Sequence, residues 1–403
     1  MTEWLSKLRV INASGTMTSL GSSAVPDEVI SAMAEVLPMF VDICRLQSKA
    51  SEVIAQATGA EAGCVTSCSA AGIAISVAAA MVGDDLARAE ALPLETGEKN
   101  EVVLQKGHSV WFGGALPQMI QLAGASVLEI GHATRSGAYQ LKRALSDHTA
   151  CAVYVISHHT APYGMIALDE FIGVCHAEGV PVVVDAASES AMRKIVTSGA
   201  DLVCFSGHKF LAGPTSGVVA GRRDLVRACL VHSLYGIGRA MKAGKESIVG
   251  AMAALTRWEN LDGDKEHALQ ADILEAFRTP LTNTAGIAVQ CVEDPTGNPI
   301  QRLRVSIDSD AAGITAFQAA QALKDCDPPI HVRDDEIDLG YFELDPCNVT
   351  SDEARDVGRA IAELLSLGDD AKVAIREKFS EPANIADSLE GGLRRGDRDS
   401  GRL

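Results

Sequence analysis

The sequence predicts an α/β protein, with a large domain built on a mainly parallel sheet between helices and a small α+β domain towards the C-terminal end. Three observations support this fold class. The 403-residue chain is longer than a single hydrophobic core usually organises. From about residue 60 to residue 235, short runs rich in Val, Ile and Ala alternate with longer segments of helical period, as in successive strand-helix units. After Thr279 the predicted elements become shorter and this alternation ends.

Seven apolar runs in the first part of the chain have the length and composition of buried strands, and each ends at a polar or glycine-bearing turn. They cover residues 63–66, 101–105, 126–130, 151–157, 180–185, 202–206 and 217–220. Ligands of open α/β sheets bind outside the carboxyl ends of the strands. We therefore expect the chemistry of the protein to lie in the residues that directly follow these runs.

The remaining segments complete the predicted organisation. Residues 224–260 are predicted to be helical with a turn at Gly236 and Gly238, and they connect the two domains. The small domain is predicted to contain strands at 287–292, 303–307, 330–333 and 341–344 and helices at 315–323 and 351–365. The predicted divisions are an N-terminal segment at 1–50, a large domain at 51–260, a small domain at 261–380 and a mobile, glycine-rich tail at 381–403.

Composition and charge exclude several classes of protein. Hydrophobic residues make up 47% of the chain and charged residues 22%, and no apolar run is long enough to span a membrane, so we expect no membrane partner. The formal net charge of -18 would repel a phosphate backbone, so we expect no nucleic acid partner. The N-terminus resembles neither a signal peptide nor a transit peptide, which predicts a cytoplasmic location.

The ten cysteines are scattered and form no Cys-x-x-Cys pair. The closest two, Cys64 and Cys68, have no second pair and no histidine partner at zinc spacing. We therefore expect most of the cysteines to be buried thiols of a protein in a reducing compartment.

Two of the predicted strands lead to a carboxylate and an amine. The run VPVVVDAASES has its strand end at Asp185, and in ADLVCFSGHKF the strand ends at Ser206 with Lys209 just beyond. A lysine amine near a buried carboxylate suits a Schiff base to pyridoxal phosphate, because the acid keeps the pyridinium nitrogen protonated. The alternative is that Asp185 caps a helix and Lys209 is a solvated loop cation.

An anion site is predicted directly after the first of the seven predicted strands, residues 63–66. In the segment SCSAAG, Ser67, Ser69 and Gly72 lie at the start of an alanine-rich helix, whose unpaired N–H groups can bind a phosphate monoester. The alternative is an ordinary cap of small residues that allows close packing of the helix.

Three histidines also follow predicted strands. His108 in QKGHSVWFGG lies near Trp111 and Phe112, and its ring could lie flat on a planar cofactor. His158 and His159 follow another strand, and either could reach the ring oxygen of the cofactor or the substrate. No carboxylate or histidine pair at helical i, i+4 spacing accompanies them, so we predict no metal site.

Five segments together resemble a known family. They are INASGTMTSLG, FVDICRLQSKASEVIAQATGAEAGCVTSCSAAG, VDAASES, DLVCFSGHKFLAGPTSGVVAGR and GIGRAMKAGKESIVGA. The combination resembles the selenocysteine synthase-like branch of the fold-type I enzymes that depend on pyridoxal phosphate (PLP), close to D-glucosaminate-6-phosphate ammonia-lyase-like proteins. The resemblance runs from about Ile11 to Leu255 and weakens through the small domain.

The resemblance implies the fold-type I PLP-dependent transferase fold and a role for each predicted residue. It implies that Lys209 forms the Schiff base with PLP, that Asp185 pairs with the pyridine nitrogen and that His108 stacks on the ring. These three are the predicted catalytic residues. The predicted cofactor-binding residues are Ser69, Ala70, Ala71, Gly72, His108, Asp185, Ser206, His208 and Lys209.

Two departures from the family pattern bear on the substrate. Selenocysteine synthases carry an extra N-terminal region for tRNA and a basic surface, whereas this chain begins almost at the shared INASGT segment and is acidic, so charged-tRNA chemistry is not expected. Many relatives have glycine directly before the lysine of the Schiff base. This chain has His208 there, which could assist phosphate binding or proton transfer.

The carboxylate of an amino acid substrate needs a fixed cation, and Arg333 and Arg239 are the two candidates, although both could be surface residues. The segment GIGRAMKAGKE concentrates Arg239, Lys242 and Lys245 in an acidic chain, which suggests an anionic substrate group or else a solvated helix start. In the family such a segment approaches a neighbouring active site, which implies a homo-oligomer, a dimer or larger. The predicted substrate-binding residues are Arg239, Arg333, His158, His159 and Lys245.

We predict a PLP-dependent lyase that acts on a β-hydroxy or otherwise β-substituted amino acid and releases ammonia and a 2-keto acid. Lys209 is the predicted base for the α proton. A phosphorylated amino sugar acid and a plain amino acid both remain open as substrates. The same residues would also serve a racemase, an aminotransferase, a cyclase or a β-replacement enzyme. A non-catalytic binding protein is a further alternative, against which the pair of Asp185 and Lys209 argues.

Overall fold

The computed structural model describes residues 2–380, which form two compact units. The larger unit comprises Thr16–Glu266 and Asp294–Pro299. The smaller unit contains the described residues up to Gly15, the segment His267–Glu293 and residues 300–380. No helix within the described range has the length and apolar character needed to cross a membrane.

The strands in chain order are β1 (Ile11–Ala13), β2 (Ala62–Thr66), β3 (Glu101–Gln105), β4 (Ser126–Ile130), β5 (Thr149–Val155), β6 (Val182–Asp185), β7 (Leu202–Ser206), β8 (Gly217–Gly221), β9 (Ile287–Glu293), β10 (Gln301–Ile307), β11 (Ile330–Val332) and β12 (Tyr341–Leu344). The helices are α1 (Thr2–Ser6), α2 (Asp27–Val36), α3 (Ile43–Thr58), α4 (Ser69–Val82), α5 (Leu86–Ala91), α6 (Leu116–Gln121), α7 (Ala138–Ala144), α8 (Leu168–Ala177), α9 (Met192–Val196), α10 (Arg223–Tyr235), α11 (Lys245–Glu259), α12 (Gly263–Leu281), α13 (Ser309–Ala312), α14 (Ala316–Leu323), α15 (Ser351–Leu365) and α16 (Asp369–Lys378).

A seven-stranded sheet with strand order β2-β8-β7-β6-β5-β3-β4 forms the centre of the larger unit. Its neighbouring strands are parallel except where β8 pairs with β2 and β7. Helices α3, α8, α9 and α11 pack on one face of the sheet, and α4, α6 and α10 pack on the other. The predicted α/β class is therefore confirmed, and each of the seven predicted strands corresponds to a strand of this sheet.

Burial on both faces explains why the strands could be located from the sequence. In β6, Val182 and Val184 join the hydrophobic cluster on one face, whereas Val183 joins the cluster on the other. Successive side chains of a strand point to opposite faces, so a sheet covered by helices on both sides needs continuous apolar strands.

The smaller unit contains an antiparallel sheet of order β12-β10-β9 and a parallel pair formed by β1 and β11. Side chains from these strands and from α12, α14 and α15 share one hydrophobic core. This agrees with the predicted α+β character of the region.

The predicted divisions differ from the units near the N-terminus and within the predicted small domain. Residues 1–50 are divided between the units, because β1 pairs within the smaller unit and α2 and α3 belong to the larger one. Asp294–Pro299 belongs to the larger unit although it lies within the predicted small domain. Helix α16, which follows α15, was not among the predicted helices. Helix α16 contains no buried residue, so it lacks the apolar stripe by which a helix is recognised in a sequence. The predicted tail, 381–403, lies outside the described residues.

Candidate active site

The carboxyl ends of three strands place the predicted site residues at one edge of the sheet. Thr66 on β2 and Ser206 on β7 both pair with Gly217 on β8, which lies between them. One strand further along, Asp185 on β6 pairs with Cys204 of β7. Because neighbouring strands lie about 4.8 Å apart, the segments that follow these three ends are close in space.

Lys209 lies in a tight turn directly after β7. Gly207 donates its N–H to the carbonyl of Ser216 at 2.8 Å, and Gly213 donates to the carbonyl of Gly207 at 2.8 Å. A Cβ at Gly207 would lie 2.0 Å from Ser216 Oγ, so only glycine fits there. The hydroxyl of Ser23 donates to the Lys209 carbonyl at 3.0 Å. The backbone under Lys209 is thereby held at both sides.

Asp185 ends β6 with a carboxylate that is 6% exposed. Its Oδ1 accepts a hydrogen bond of 3.1 Å from the N–H of Ala187. Burial raises the pKa of Asp185, and the Ala187 N–H and the positive charge of Lys209 oppose that shift. The carboxylate and the amine therefore interact electrostatically inside the site.

The amine of Lys209 also has a neighbour that the sequence did not single out. Its Nζ donates to the hydroxyl of Ser188, which lies three residues after Asp185. The turn that follows β6 thus supplies both the carboxylate and the hydroxyl that face Lys209.

The start of α4 provides an anion-binding end to the site. Cys68 caps this helix, its Sγ accepting from the N–H of Ala71 at 3.4 Å, and Ser69 and Ala70 begin the first turn in a half-buried position. The N–H groups of a first turn have no partner within the helix and attract a negative group. A Cβ at Gly72 would lie 3.0 Å from Val219 Cγ2, so glycine lets the helix approach β8 closely.

Comparison with known proteins assigns the chain to a family. The family model for L-seryl-tRNA selenium transferase, SelA, matches residues 10–314. That match covers most of the chain. The chain belongs to the L-seryl-tRNA selenium transferase family.

Individual relatives within the family differ in the reactions that their names describe. The chain is 38% identical to a 5'-C-glycyluridine monooxygenase-decarboxylase from Streptomyces sp, over 88% of this chain and 90% of that protein. It is 37% identical to the D-glucosaminate-6-phosphate ammonia lyase of Salmonella typhimurium, over 86% of this chain and 92% of that protein. A L-seryl-tRNA(Sec) selenium transferase from Edwardsiella ictaluri is 26% identical over 62% of this chain and 56% of its own length.

Solved structures support the same assignment. A D-glucosaminate-6-phosphate ammonia-lyase structure matches with a TM-score of 0.80 and 37% identity, covering 89% of this chain and 95% of that one. Aspartate aminotransferase from Thermus thermophilus matches with a TM-score of 0.52 at 14% identity, over 88% of this chain and 91% of that one, which shows the shared fold. The predicted recognition and the fold-type I architecture are confirmed, and PLP is the cofactor expected of this family and fold.

The residues present fit PLP. The start of α4 offers N–H groups to a phosphate, Asp185 offers a buried carboxylate to a ring nitrogen, and Lys209 offers an amine to the aldehyde. His208 supports the fit, because its Nε2 is buried and has no hydrogen-bond partner within residues 2–380. A buried polar atom without a partner in a polar site is expected to meet a ligand.

His208 is fixed on its other side by the turn. Its Nδ1 lies 3.4 Å from the hydroxyl of Ser206 at the end of β7. Burial and the charge of Lys209 lower the pKa of His208, and a backbone interaction with Ser216 opposes that shift. The cofactor-binding roles of Ser206 and His208 stay predictions, although both side chains lie beside Lys209 in one turn.

His108 lies deeper than expected for a residue that stacks on a cofactor. Its side chain is 2% exposed, and Nδ1 accepts a hydrogen bond of 3.1 Å from the N–H of Val155, the residue that pairs with Asp185. Its ring meets that of Tyr154 edge-on at 4.5 Å. Burial lowers the pKa of His108 to about 4, so the ring is neutral at pH 7. Little of the ring surface is open to a cofactor. Stacking of His108 on the cofactor stays a prediction.

His158 and His159 follow β5, the strand next to β6, so they lie at the same edge of the sheet as Asp185. Their rings are 3.8 Å apart between centroids, with His158 half-buried and His159 exposed. No group of three or more potential metal ligands occurs within residues 2–380. The substrate role of either histidine stays a prediction.

The basic segment after α10 lines a cavity of about 250 Å³ that also contains Thr66 at the end of β2. Arg239 and Lys242 are exposed, and neither forms an ion pair in the part of the chain that the structure describes. Lys245 differs, because its Nζ donates to the carbonyl of Leu37 at 2.7 Å and to that of Met39. The Arg239 guanidinium is therefore unengaged within the described residues, whereas Lys245 is engaged at the end of α2. The substrate roles of Arg239 and Lys245 stay predictions.

Arg333 belongs to the smaller unit and is already paired there. Its NH2 lies 2.9 Å from Asp335 Oδ2, and its Nε lies 4.0 Å from Glu343 Oε2. A substrate carboxylate would compete with these two acids for the guanidinium. Binding of substrate by Arg333 stays a prediction.

The prediction from sequence missed three residues of this neighbourhood. Ser188 accepts from Lys209, Glu189 is a buried acid, and Asn298 bonds to both residues that flank Glu189. Asn298 lies more than a hundred residues from them in sequence, so no local pattern reveals the contact. The segment VDAASES contained the other two, but a serine and a glutamate in a turn are ordinary surface residues by composition.

Proposed function

We propose that this chain is a PLP-dependent lyase that removes a β substituent from an amino acid and releases ammonia and a 2-keto acid. The observation that carries the proposal is the placement of Lys209 and the buried Asp185 at the ends of the adjacent strands β7 and β6. An amine and an acid in this arrangement beside an anion-binding helix start suit PLP chemistry.

In this proposal each residue has one task. Lys209 holds the cofactor and afterwards takes the proton from the substrate's α carbon. Asp185 keeps a proton on the ring nitrogen, and the first turn of α4, from Ser69 to Gly72, holds the phosphate. When bound, PLP supplies an electron sink for the negative charge that develops at the α carbon.

The substrate we propose is a phosphorylated amino sugar acid with a β-hydroxyl group. The name of the 37% identical Salmonella relative, D-glucosaminate-6-phosphate ammonia lyase, supports this class. Arg239 and Lys242 support it as well, because they bring positive charge to a cavity beside Thr66 in a chain of net charge -18. A planar guanidinium binds a carboxylate or a phosphate through two parallel hydrogen bonds.

The direct test uses purified protein, PLP and D-glucosaminate 6-phosphate. Formation of ammonia and a 2-keto acid in equal amounts is the expected result. Recovery of an inverted, transaminated or cyclised amino acid without free ammonia would contradict the lyase reaction and favour a racemase, an aminotransferase or a cyclase. Serine serves as the plain amino acid for comparison.

A second reaction class is favoured by the relative at 38% identity, which is named a monooxygenase-decarboxylase. A reaction of that kind consumes oxygen and releases carbon dioxide. Measuring both gases with the same protein and with a glycyl-bearing nucleoside separates the two classes, because the lyase reaction needs no oxygen.

We further propose a cytoplasmic homo-oligomer that acts on a small molecule and not on tRNA. All ten cysteines are free, and five of them are buried thiols, as suits a reducing compartment. Leu37, Met39 and Phe40 expose apolar surface next to the Lys245 contacts, which suits burial against a second copy. Light scattering after size-exclusion chromatography measures the subunit number, and an electrophoretic shift assay with tRNA checks the absence of binding.

A further inference from the structure

Glu189 is a buried acid beside Lys209 to which the proposed reaction has given no task. It lies in the turn after β6, four residues beyond Asp185, and its side chain is 8% exposed. Its Oε1 is buried and has no hydrogen-bond partner within residues 2–380. A buried acid usually has a hydrogen-bond partner for each of its two carboxyl oxygens. The unpartnered Oε1 of Glu189 therefore needs an explanation.

The turn holds Glu189 from both sides. Asn298 accepts from the N–H and the hydroxyl of Ser190, each at 2.8 Å, and donates to the carbonyl of Ser188 at 3.1 Å. Asn298 is itself fixed by Asp294, whose Oδ1 accepts from its amide at 3.2 Å. Glu189 therefore occupies a fixed position between two residues whose backbone is anchored.

The same turn connects Glu189 to the amine. Ser188, its direct neighbour, accepts a hydrogen bond from Lys209 Nζ. The charge of Lys209 also acts on the Glu189 carboxyl. Glu189 and Ser206, the last residue of β7, line one small cavity of about 10 Å³, whose other walls include Phe205, Phe210 and Trp258. Glu189 thus lies at the level of the lysine-bearing turn, beside a small cavity with aromatic walls.

Elimination from a β-hydroxy substrate needs two proton transfers. Lys209 takes a proton from the α carbon, but hydroxide is a poor leaving group and departs only when a proton reaches its oxygen. Lys209 acts as a base in the first of these transfers. A second group that already carries a proton makes departure of the oxygen independent of the proton that Lys209 has taken.

We propose that Glu189 is this second group and delivers a proton to the departing β-hydroxyl. The inference rests on the proposed lyase function and deepens it by assigning its general acid. The C–O bond breaks with its electron pair on oxygen, the oxygen takes the Glu189 proton, and water leaves. Lys209 then holds the former α proton and returns one to the Glu189 carboxylate through the hydroxyl of Ser188. This step removes one water from the substrate and leaves Lys209 and Glu189 as they began, and a water is consumed afterwards when the dehydrated product is hydrolysed to the 2-keto acid and ammonia.

The protonation state of Glu189 suits this task. Burial raises its pKa to about 8; the Thr296 and Asn298 side chains and the Lys209 charge oppose that shift, and the Asp294 charge adds to it. Asp294 and Lys209 are the charged groups that act on it from the neighbouring segments. The carboxyl is therefore protonated at pH 7, and elimination falls as the pH rises through about 8.

The test compares wild type with Glu189→Gln in deuterated buffer with D-glucosaminate 6-phosphate. Loss of a general acid lowers ammonia release by about 10²- to 10⁴-fold. Exchange of the α proton for deuterium, followed by proton NMR, is expected to remain within about threefold of wild type because Lys209 is intact. Glu189→Asp, which keeps an acid on a shorter side chain, is expected to recover part of the ammonia release.

Ser190→Ala is the matched control. It removes the hydrogen bond from the Ser190 hydroxyl to Asn298 but leaves the Glu189 carboxyl in place. If Glu189→Gln slows deuterium exchange and ammonia release equally, or does not slow ammonia release, the proposed role of Glu189 is wrong. The proposed lyase function would not be affected by that result. If wild type releases no ammonia, the proposed function fails and the inference falls with it.

A second measurement does not depend on turnover. Infrared spectroscopy of the full-length protein, with and without PLP, reports the carbonyl stretch of a protonated carboxyl group. We expect such a band at pH 7 that disappears above about pH 8 and is missing in Glu189→Gln. Identical spectra of the two proteins at pH 7 would contradict the assignment.

Discussion

Asp185 and Lys209 stabilise each other's charged forms in a position that is poorly solvated. Burial favours the neutral form of Asp185, while the charge of Lys209 and the N–H of Ala187 favour the ionised form. Removal of one member of such a pair leaves an uncompensated charge or an unpaired polar group. The two residues therefore contribute to the site as a unit, which makes their single substitutions informative.

Lys209→Ala is expected to abolish both the yellow colour of the PLP-loaded protein and ammonia release, because no amine remains to bond the cofactor. Absorbance and mass spectrometry after borohydride reduction measure the loss. Lys194→Ala, an exposed lysine on α9, is the control and should retain both signals. A reduced cofactor still attached to the Lys209→Ala chain would contradict the assignment.

Asp185→Asn is expected to keep part of the cofactor and to lose about 10²- to 10³-fold in turnover, since a preorganised charge is removed from the ring nitrogen. The shape of the side chain and the Ala187 contact are retained. Absorbance gives the cofactor content and ammonia release gives the rate. Turnover within a few-fold of wild type would show that the Asp185 charge does not act on the reaction.

At the scale of elements, the site depends on the turn after β7, which leaves no room for a side chain at Gly207. In the turn after β7, Gly207 donates its N–H to the carbonyl of Ser216, and Gly213 donates its N–H to the carbonyl of Gly207. The neighbouring turn, after β6, is held by hydrogen bonds from Asn298 to Ser188 and from Ser190 to Asn298. Rigid turns of this kind position Lys209 and Glu189 without help from long side chains.

Gly207→Ala is expected to destabilise the protein by about 1–3 kcal/mol and to weaken cofactor binding, because the new Cβ would lie 2.0 Å from Ser216 Oγ. Thermal unfolding and a PLP titration measure the two effects. Gly173→Ala in α8 is the matched control: it is exposed, and nothing lies within 4 Å of the added Cβ. That change should stabilise the protein by about 0.5–1 kcal/mol. Equal unfolding temperatures for the two variants would refute the steric argument.

At the scale of the whole molecule, the sequence predicted what depends on local pattern and missed what depends on distant contacts. The strands β3, β4, β7 and β12 occur at the predicted residues, because continuous apolar runs identify buried strands. The pairing of Ile11 with Ile330 and the contact of Asn298 with Ser190 join residues far apart in the chain. Neither has a local signal, so the place of β1 in the smaller unit and the anchored acid at Glu189 could not be predicted.

Two of the buried groups with shifted pKa values, His108 and Glu189, make overall stability depend on pH in opposite directions. Burial lowers the pKa of His108 to about 4 from 6.5, so its contribution to stability is lost as the pH falls through about 4 and is fully present above 6.5. Burial raises the pKa of Glu189 from 4.5 to about 8, so the folded protein holds a proton that the unfolded chain has released. Between pH 6.5 and 8 the Glu189 contribution changes, whereas the His108 contribution stays constant.

Wild type is therefore expected to lose about 1.4 kcal/mol of unfolding free energy per pH unit between pH 6.5 and 8 relative to Glu189→Gln, because the amide binds no proton in either state. Above pH 8 the difference between the two proteins becomes constant as the folded protein also releases the proton. Urea unfolding of both proteins at several pH values measures the difference. A difference that does not vary with pH would mean that Glu189 is already ionised in the folded protein at pH 6.5, and neither the stability argument nor its role as an acid would hold.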